Sequence, residues 1–136
     1  MKKNILLSLY VLCLFMISCV SSLNIRKNEL IRLNPSLFHK EDKIKYIGKI
    51  DLSLNRSIEI YFMEYLFGNR RANYKIVFFD SNNRVSFYTI EDEPTLIDNT
   101  LMFAYKKELG NKIEIKDRIP DNVYLNGEVI YLTVIK

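Results

Sequence analysis

Residues 57–67 read Ser57-Ile58-Glu59-Ile60-Tyr61-Phe62-Met63-Glu64-Tyr65-Leu66-Phe67, and this run decides the fold. Successive side chains of a strand point to opposite faces. Ile58, Ile60, Phe62 and Leu66 then share one face, and Tyr61, Met63, Tyr65 and Phe67 share the other. A strand that is apolar on both faces is covered on both sides. The run is therefore expected at the centre of a sheet, as part of a core rather than as an exposed aromatic stripe.

Upstream, Ile44, Tyr46, Ile50, Leu52 and Leu54 alternate with Lys45, Lys49, Asp51 and Ser53, the period of a half-buried strand. Gly48 interrupts the apolar face and marks either a bulge or a close crossing. Asn55-Arg56 then separates two apolar runs, which predicts a hairpin. Downstream, Gly68-Asn69-Arg70-Arg71 is a polar loop. A strand from Asn73 to Asp80 follows, carrying Tyr74, Ile76 and Phe78 on one face. The turn Asp80-Ser81-Asn82-Asn83 leads into a further strand, Arg84 to Ile90. Short connections between consecutive strands give an antiparallel meander.

Residues 95–109 support two readings. Ile97, Leu101, Ala104, Tyr105 and Leu109 recur at helical spacing, with Gly110 placed as a cap. Leu101, Phe103 and Tyr105 also alternate, and Asp98-Asn99 is a turn dipeptide, so strands are preferred here. Near the end of the chain, Asn126-Gly127 between Val123–Leu125 and Glu128–Ile135 predicts a hairpin closed by a type I′ turn. The expectation for residues 43–136 is an all-β domain, a small antiparallel β-sandwich or up-and-down β-barrel of about seven or eight strands. It contains no cysteine, so packing rather than a disulfide must hold it.

The amino terminus carries a different message. Lys2 and Lys3 precede an apolar run from Ile5 to Ile17, the layout of a secretory signal. The run gives way to Ser18, Ser21 and Ser22 before reaching the roughly 20 residues that span a bilayer. It ends in Met16-Ile17-Ser18-Cys19, which resembles the lipobox of bacterial lipoproteins, with Met16 where leucine is usual. The resemblance covers residues 1–19 alone. It implies that residues 1–18 are removed as a signal peptide and that Cys19 is acylated, attaching the protein to a membrane. Two or three lipid chains make such an anchor stable where one would slip. The alternatives are an ordinary signal peptide cut after Ser21 or Ser22, or an uncleaved anchor. Residues 19–42 then form the acylated tether. Within it, Leu23 to Leu33 is either a short amphipathic helix stopped by Asn34-Pro35 or a partly ordered linker.

Little in the chain argues for catalysis. His39, read as a solvated loop residue, is the one histidine, so no histidine-based triad can be assembled, and a structural zinc site lacks ligands. Glu91-Asp92-Glu93 does not match a calcium loop. No catalytic residue, metal or cofactor is expected. Arg70, Arg71, Lys75 and Arg84 flank successive turns and form a candidate basic patch for an anionic polysaccharide, a lipid head group or a protein. Equally, such charges keep a strand edge soluble. The formal charge of +4 includes Lys2 and Lys3 and would fall with their removal, so the basic balance is weak. An exported location disfavours nucleic acid.

The functional expectation is a lipid-anchored, non-enzymatic domain in the cell envelope that binds a partner protein or polysaccharide. Val20 follows Cys19 where enteric-type lipoproteins retained at the inner membrane have Asp, and the resemblance then implies the outer membrane in cells that have one. The alternative is a β-barrel that carries a small apolar ligand among its tyrosines and phenylalanines.

Overall fold

A computed structural model describes residues 22–52, 55–67, 71–104 and 111–135, with the side chains of residues 66, 67, 71 and 72 excluded. The chain divides into two compact units, Met1–Lys40 and Glu41–Lys136.

In the first unit residues 22–33 are helical, so the amphipathic-helix reading of this stretch is the one the chain adopts. Arg26 and Glu29, one turn apart, pair at 3.0 Å on this helix. The Asn34 N–H still donates to the Leu30 carbonyl at 3.0 Å. Pro35 cannot continue the ladder because it has no N–H. Instead the Asn34 Oδ1 accepts from the Ser36 N–H at 3.2 Å and from its hydroxyl at 2.6 Å, which turns the chain. Leu30 and Phe38 are buried, and His39 is exposed.

The second unit is all-β. Its first sheet has the order β1-β2-β3-β4-β10, built from β1 (Lys43–Asp51), β2 (Ser57–Phe67), β3 (Arg71–Asp80), β4 (Arg84–Ile90) and β10 (Thr133–Val134). The second contains β5 (Thr95–Ile97), β6 (Thr100–Met102) and β7 (Lys112–Glu114), and the third is the hairpin of β8 (Asn122–Leu125) and β9 (Glu128–Tyr131). Every pairing is antiparallel. The described strands number ten rather than about seven or eight, because the segment after Pro94 and the tail form pieces of two to four residues. Strand, not helix, is the state of residues 95–97 and 100–102; residues 105–110 lie outside the described set.

Among the described residues no sheet closes into a barrel, and the packing is that of a sandwich. Ile50, Ile58, Ile60, Phe62, Ile76, Phe78, Tyr88 and Ile90 line one face of the first sheet. They meet Leu101, Phe103, Ile113 and Ile115 from the region of the second sheet, and Leu125 from the hairpin. Burying large apolar side chains is the main favourable term, about 1.5–3 kcal/mol for each one fully withdrawn from water. β2 is central, as its two-faced composition requires: Ile60 is fully buried on one face and Met63 is 1% exposed on the other.

β1 departs from simple alternation. Ile44 pairs with Met63 and Tyr46 with Tyr61, but the register shifts between Tyr46 and Gly48, after which Gly48 faces Ile60 and Ile50 faces Ile58. One extra residue inverts the parity of a strand. Ile44 and Tyr46 therefore share a face with Tyr61 and Met63, and only Ile50 and Leu52 join the sandwich core, with Ile47 packed against it. The single apolar face expected for this strand is split in two. Gly48 is also a close crossing, since a Cβ there would lie 2.5 Å from the Leu96 Cδ2.

The Asn126-Gly127 turn has the predicted form, with φ of 50° and 85°. Space around Gly127 is open, the nearest atom to an added Cβ being the Tyr124 hydroxyl at 3.9 Å. A substitution there thus isolates the backbone cost, about 1–2 kcal/mol for an L-residue held left-handed. Gly127→Ala is expected to lower the melting temperature by several degrees, measured by circular dichroism; an unchanged value would contradict the turn.

Candidate functional site

The tip of the β8–β9 hairpin is fastened to both flanking regions. The Asn126 N–H donates to the Asn111 Oδ1 at 2.9 Å, just before β7, and the Asn126 Nδ2 donates to the Glu91 Oε2 at 2.8 Å, just after β4. Asn111 is itself held, because its carbonyl accepts from the Phe103 N–H at 3.1 Å. Two bonds from one turn residue fix where the hairpin ends relative to both sheets.

Beside this tip lies a cavity of about 280 Å³. β9 neighbours β4, and the cavity is lined by the end of β4 together with residues of the hairpin tip. Ile90, Phe103, Leu125 and Ile130 supply its apolar surface. Asn73, Thr89, Asn111 and Asn126 add amides and a hydroxyl, and Glu91 and Glu128 add two carboxylates. Glu128 reaches it because it pairs with Leu125 and so shares that residue's face of the hairpin. An apolar surface with a few convergent polar groups on a fixed frame is the usual composition of a small-ligand site.

The opposite face of the same hairpin is solvent-exposed and apolar. Tyr124 and Val129 stand directly across from one another, with Tyr131 on the same face. Their exposures are 62%, 52% and 70%.

Of the candidate basic patch, the described side chains are Lys75 and Arg84, and the two lie apart. Lys75 is 4% exposed, with its Nζ 3.5 Å from the centroid of the Tyr65 ring and 5.5 Å from that of Phe87. Burial lowers its pKa, and the Asp42 carboxylate opposes that shift. Arg84 is exposed where β4 begins, opposite Asp80 in the strand register, while Arg71 opens β3, at the far end of that strand from Asp80. At about 3.3 Å per residue, those two positions are about 30 Å apart. Arg70, the side chain of Arg71 and Cys19 lie outside the described residues.

The three carboxylates after β4 work separately rather than as one ligand set. Glu91 holds Asn126, Glu93 pairs with Lys45, and the Asp92 Oδ1 accepts from the Glu93 N–H at 2.8 Å. Sequence reasoning found the Asn126-Gly127 turn but not the cavity behind it. The available signal was the scatter of Asn73, Asn111 and Asn126 at strand ends, where an amide side chain is well placed to bridge neighbouring backbone. Compared with protein families, with curated proteins and with solved structures, the chain matches none.

Proposed function

We propose that the chain is a membrane-anchored lipoprotein, acylated at Cys19, whose non-enzymatic β domain binds a component of the cell envelope through the cavity at the β8–β9 tip. The observation that supports binding there is the pinned turn: one residue, Asn126, ties the hairpin to both flanking regions and holds the cavity wall in place. A wall fixed before the ligand arrives lowers the ordering cost of binding. The carrier alternative asked for a closed barrel with an interior void, and the described strands form open sheets around a filled core.

The test has two parts in the producing cell. Metabolic labelling with an alkyne fatty acid is expected to mark the protein and to be lost in Cys19→Ala; label that survives the change would remove the anchor. A photo-reactive residue at position 128 is expected to capture an envelope component, and the same residue at position 83, in the β3–β4 turn, is expected not to. Equal capture at both positions would remove the binding site.

A further inference from the structure

We infer that Asn126 is a modification site, which loses its side-chain amide to become aspartate or isoaspartate without an enzyme, and that this change undoes the tie between the hairpin tip and Glu91. Of the asparagines in the chain, Asn126 alone is followed by glycine. The reaction is intramolecular and depends on approach of the next backbone nitrogen to the asparagine Cγ, which a residue without a Cβ leaves unobstructed. Asn126 and Gly127 are both exposed, and the nearest atom to a Cβ built on Gly127 is 3.9 Å away. Among the described residues the Gly127 N–H donates to none, so the attacking nitrogen is open to water and not committed to a bond.

Water is the one co-reactant consumed. The Gly127 nitrogen gives its proton to hydroxide and attacks the Asn126 Cγ, closing a five-membered imide as the Cγ–Nδ2 bond breaks. The departing nitrogen takes a proton from water, which leaves as ammonia and regenerates hydroxide. Water then adds to one of the two imide carbonyls. Addition at Cγ breaks the new bond to the Gly127 nitrogen and gives aspartate. Addition at the backbone carbonyl breaks the original peptide bond instead, and the chain then runs through the side chain as isoaspartate.

The bonds around the turn set the consequence. The Asn126 Nδ2 donates to the Glu91 Oε2 at 2.8 Å. In either product a carboxylate replaces that amide, so the donor is gone and the Glu91 carboxylate, which only accepts while ionised, faces a like charge. The aspartate product keeps the other tie, because the backbone N–H of residue 126 still reaches the Asn111 Oδ1. The isoaspartate product also carries an extra backbone carbon through a turn whose φ angles of 50° and 85° are set for two ordinary residues.

Asn83 is the internal comparison, an exposed turn asparagine with φ of 61° that is followed by arginine. The full chain in detergent micelles is incubated in mildly alkaline buffer, well below its melting temperature, and the acid formed at each asparagine is followed by peptide mapping with mass spectrometry. Acid is expected at position 126 about tenfold faster than at position 83, which corresponds to about 1.4 kcal/mol in the barrier. Equal rates at the two positions, or an intact Asn126 at the end of the incubation, would overturn the site. Asn126→Asp supplies the product directly and is expected to melt about 4 °C below wild type. Adding Glu91→Gln to it restores a donor opposite the acid and is expected to recover most of that loss. Asn126→Asp melting as wild type does, or gaining nothing from Glu91→Gln, would overturn the loss of the tie.

Discussion

Tyr88→Ala is expected to destabilise the β domain by about 4 kcal/mol, the scale for deleting a fully buried aromatic ring. Tyr88 has no exposed surface and meets Phe78 edge to face, with ring centroids 5.7 Å apart. Its hydroxyl donates to the Pro120 carbonyl, so one side chain joins β4 to the loop before β8. Tyr88→Phe separates the two contributions: it keeps the ring, leaves the carbonyl without this donor, and should cost about 1 kcal/mol, or about 5 °C in melting temperature. Burial raises the Tyr88 pKa above its ordinary 10.0, with Asp121 adding to the shift. The stability this represents is intact below about pH 10 and is lost as pH rises beyond it, because the unfolded phenol ionises first. Denaturant melts of Tyr88→Phe should therefore show a shallower alkaline decline than wild type. An identical decline in both would mean that the phenol does not carry the effect.

Asp80→Ala is expected to cost about 3 kcal/mol near neutral pH. Asp80 ends β3 with its side chain 6% exposed, and its carboxylate takes the Arg56 guanidinium at 2.6 Å and the Asn82 N–H at 3.1 Å. Arg56 belongs to the β1–β2 connection and also donates to the Asp117 carbonyl at 3.4 Å, so the pair ties together three loops at one end of the sandwich. Removing the carboxylate strands a partly buried cation whose Nε already has no hydrogen-bond partner. Burial alone would raise the Asp80 pKa, but hydrogen bonds from Arg56 and Asn82, the charge of Arg56 and a bond from Ser81 outweigh it and hold the pKa below 3.8. This contribution is present above about pH 4 and disappears as pH falls through the lowered folded value. The gap between wild type and Asp80→Ala, from urea unfolding, should narrow from about pH 7 to about pH 2; a constant gap would rule the ion pair out as its source.

The meander was legible because its signals are local. Turn residues at Asn55, Asn83 and Asn126 each adopt the positive φ that asparagine tolerates, and the runs between them alternate with period two. The faces of β2 and β3 followed from parity alone. Parity alone does not place the faces of β1: a bulge inserts one residue without any change in composition, and Gly48 marks the irregularity but not its consequence for Ile44 and Tyr46. The cavity was illegible for a different reason. Asn73, Glu91, Asn111 and Asn126 come from four separate segments, and only tertiary packing brings them to one place. The converse holds for Arg71 and Arg84, whose nearness in sequence becomes opposite ends of one strand pair.

The bulge in β1 has a bearing on solubility. β1 is the outermost strand of its sheet, and its backbone would otherwise template pairing with another chain. The break in register between Tyr46 and Gly48 interrupts that template, and Lys43, Lys45 and Lys49 stand exposed along it. A protein tethered to a bilayer meets its own copies at far higher local concentration than one free in solution. On the anchored reading, the irregular, charged border would keep crowded copies on one membrane from pairing strand to strand.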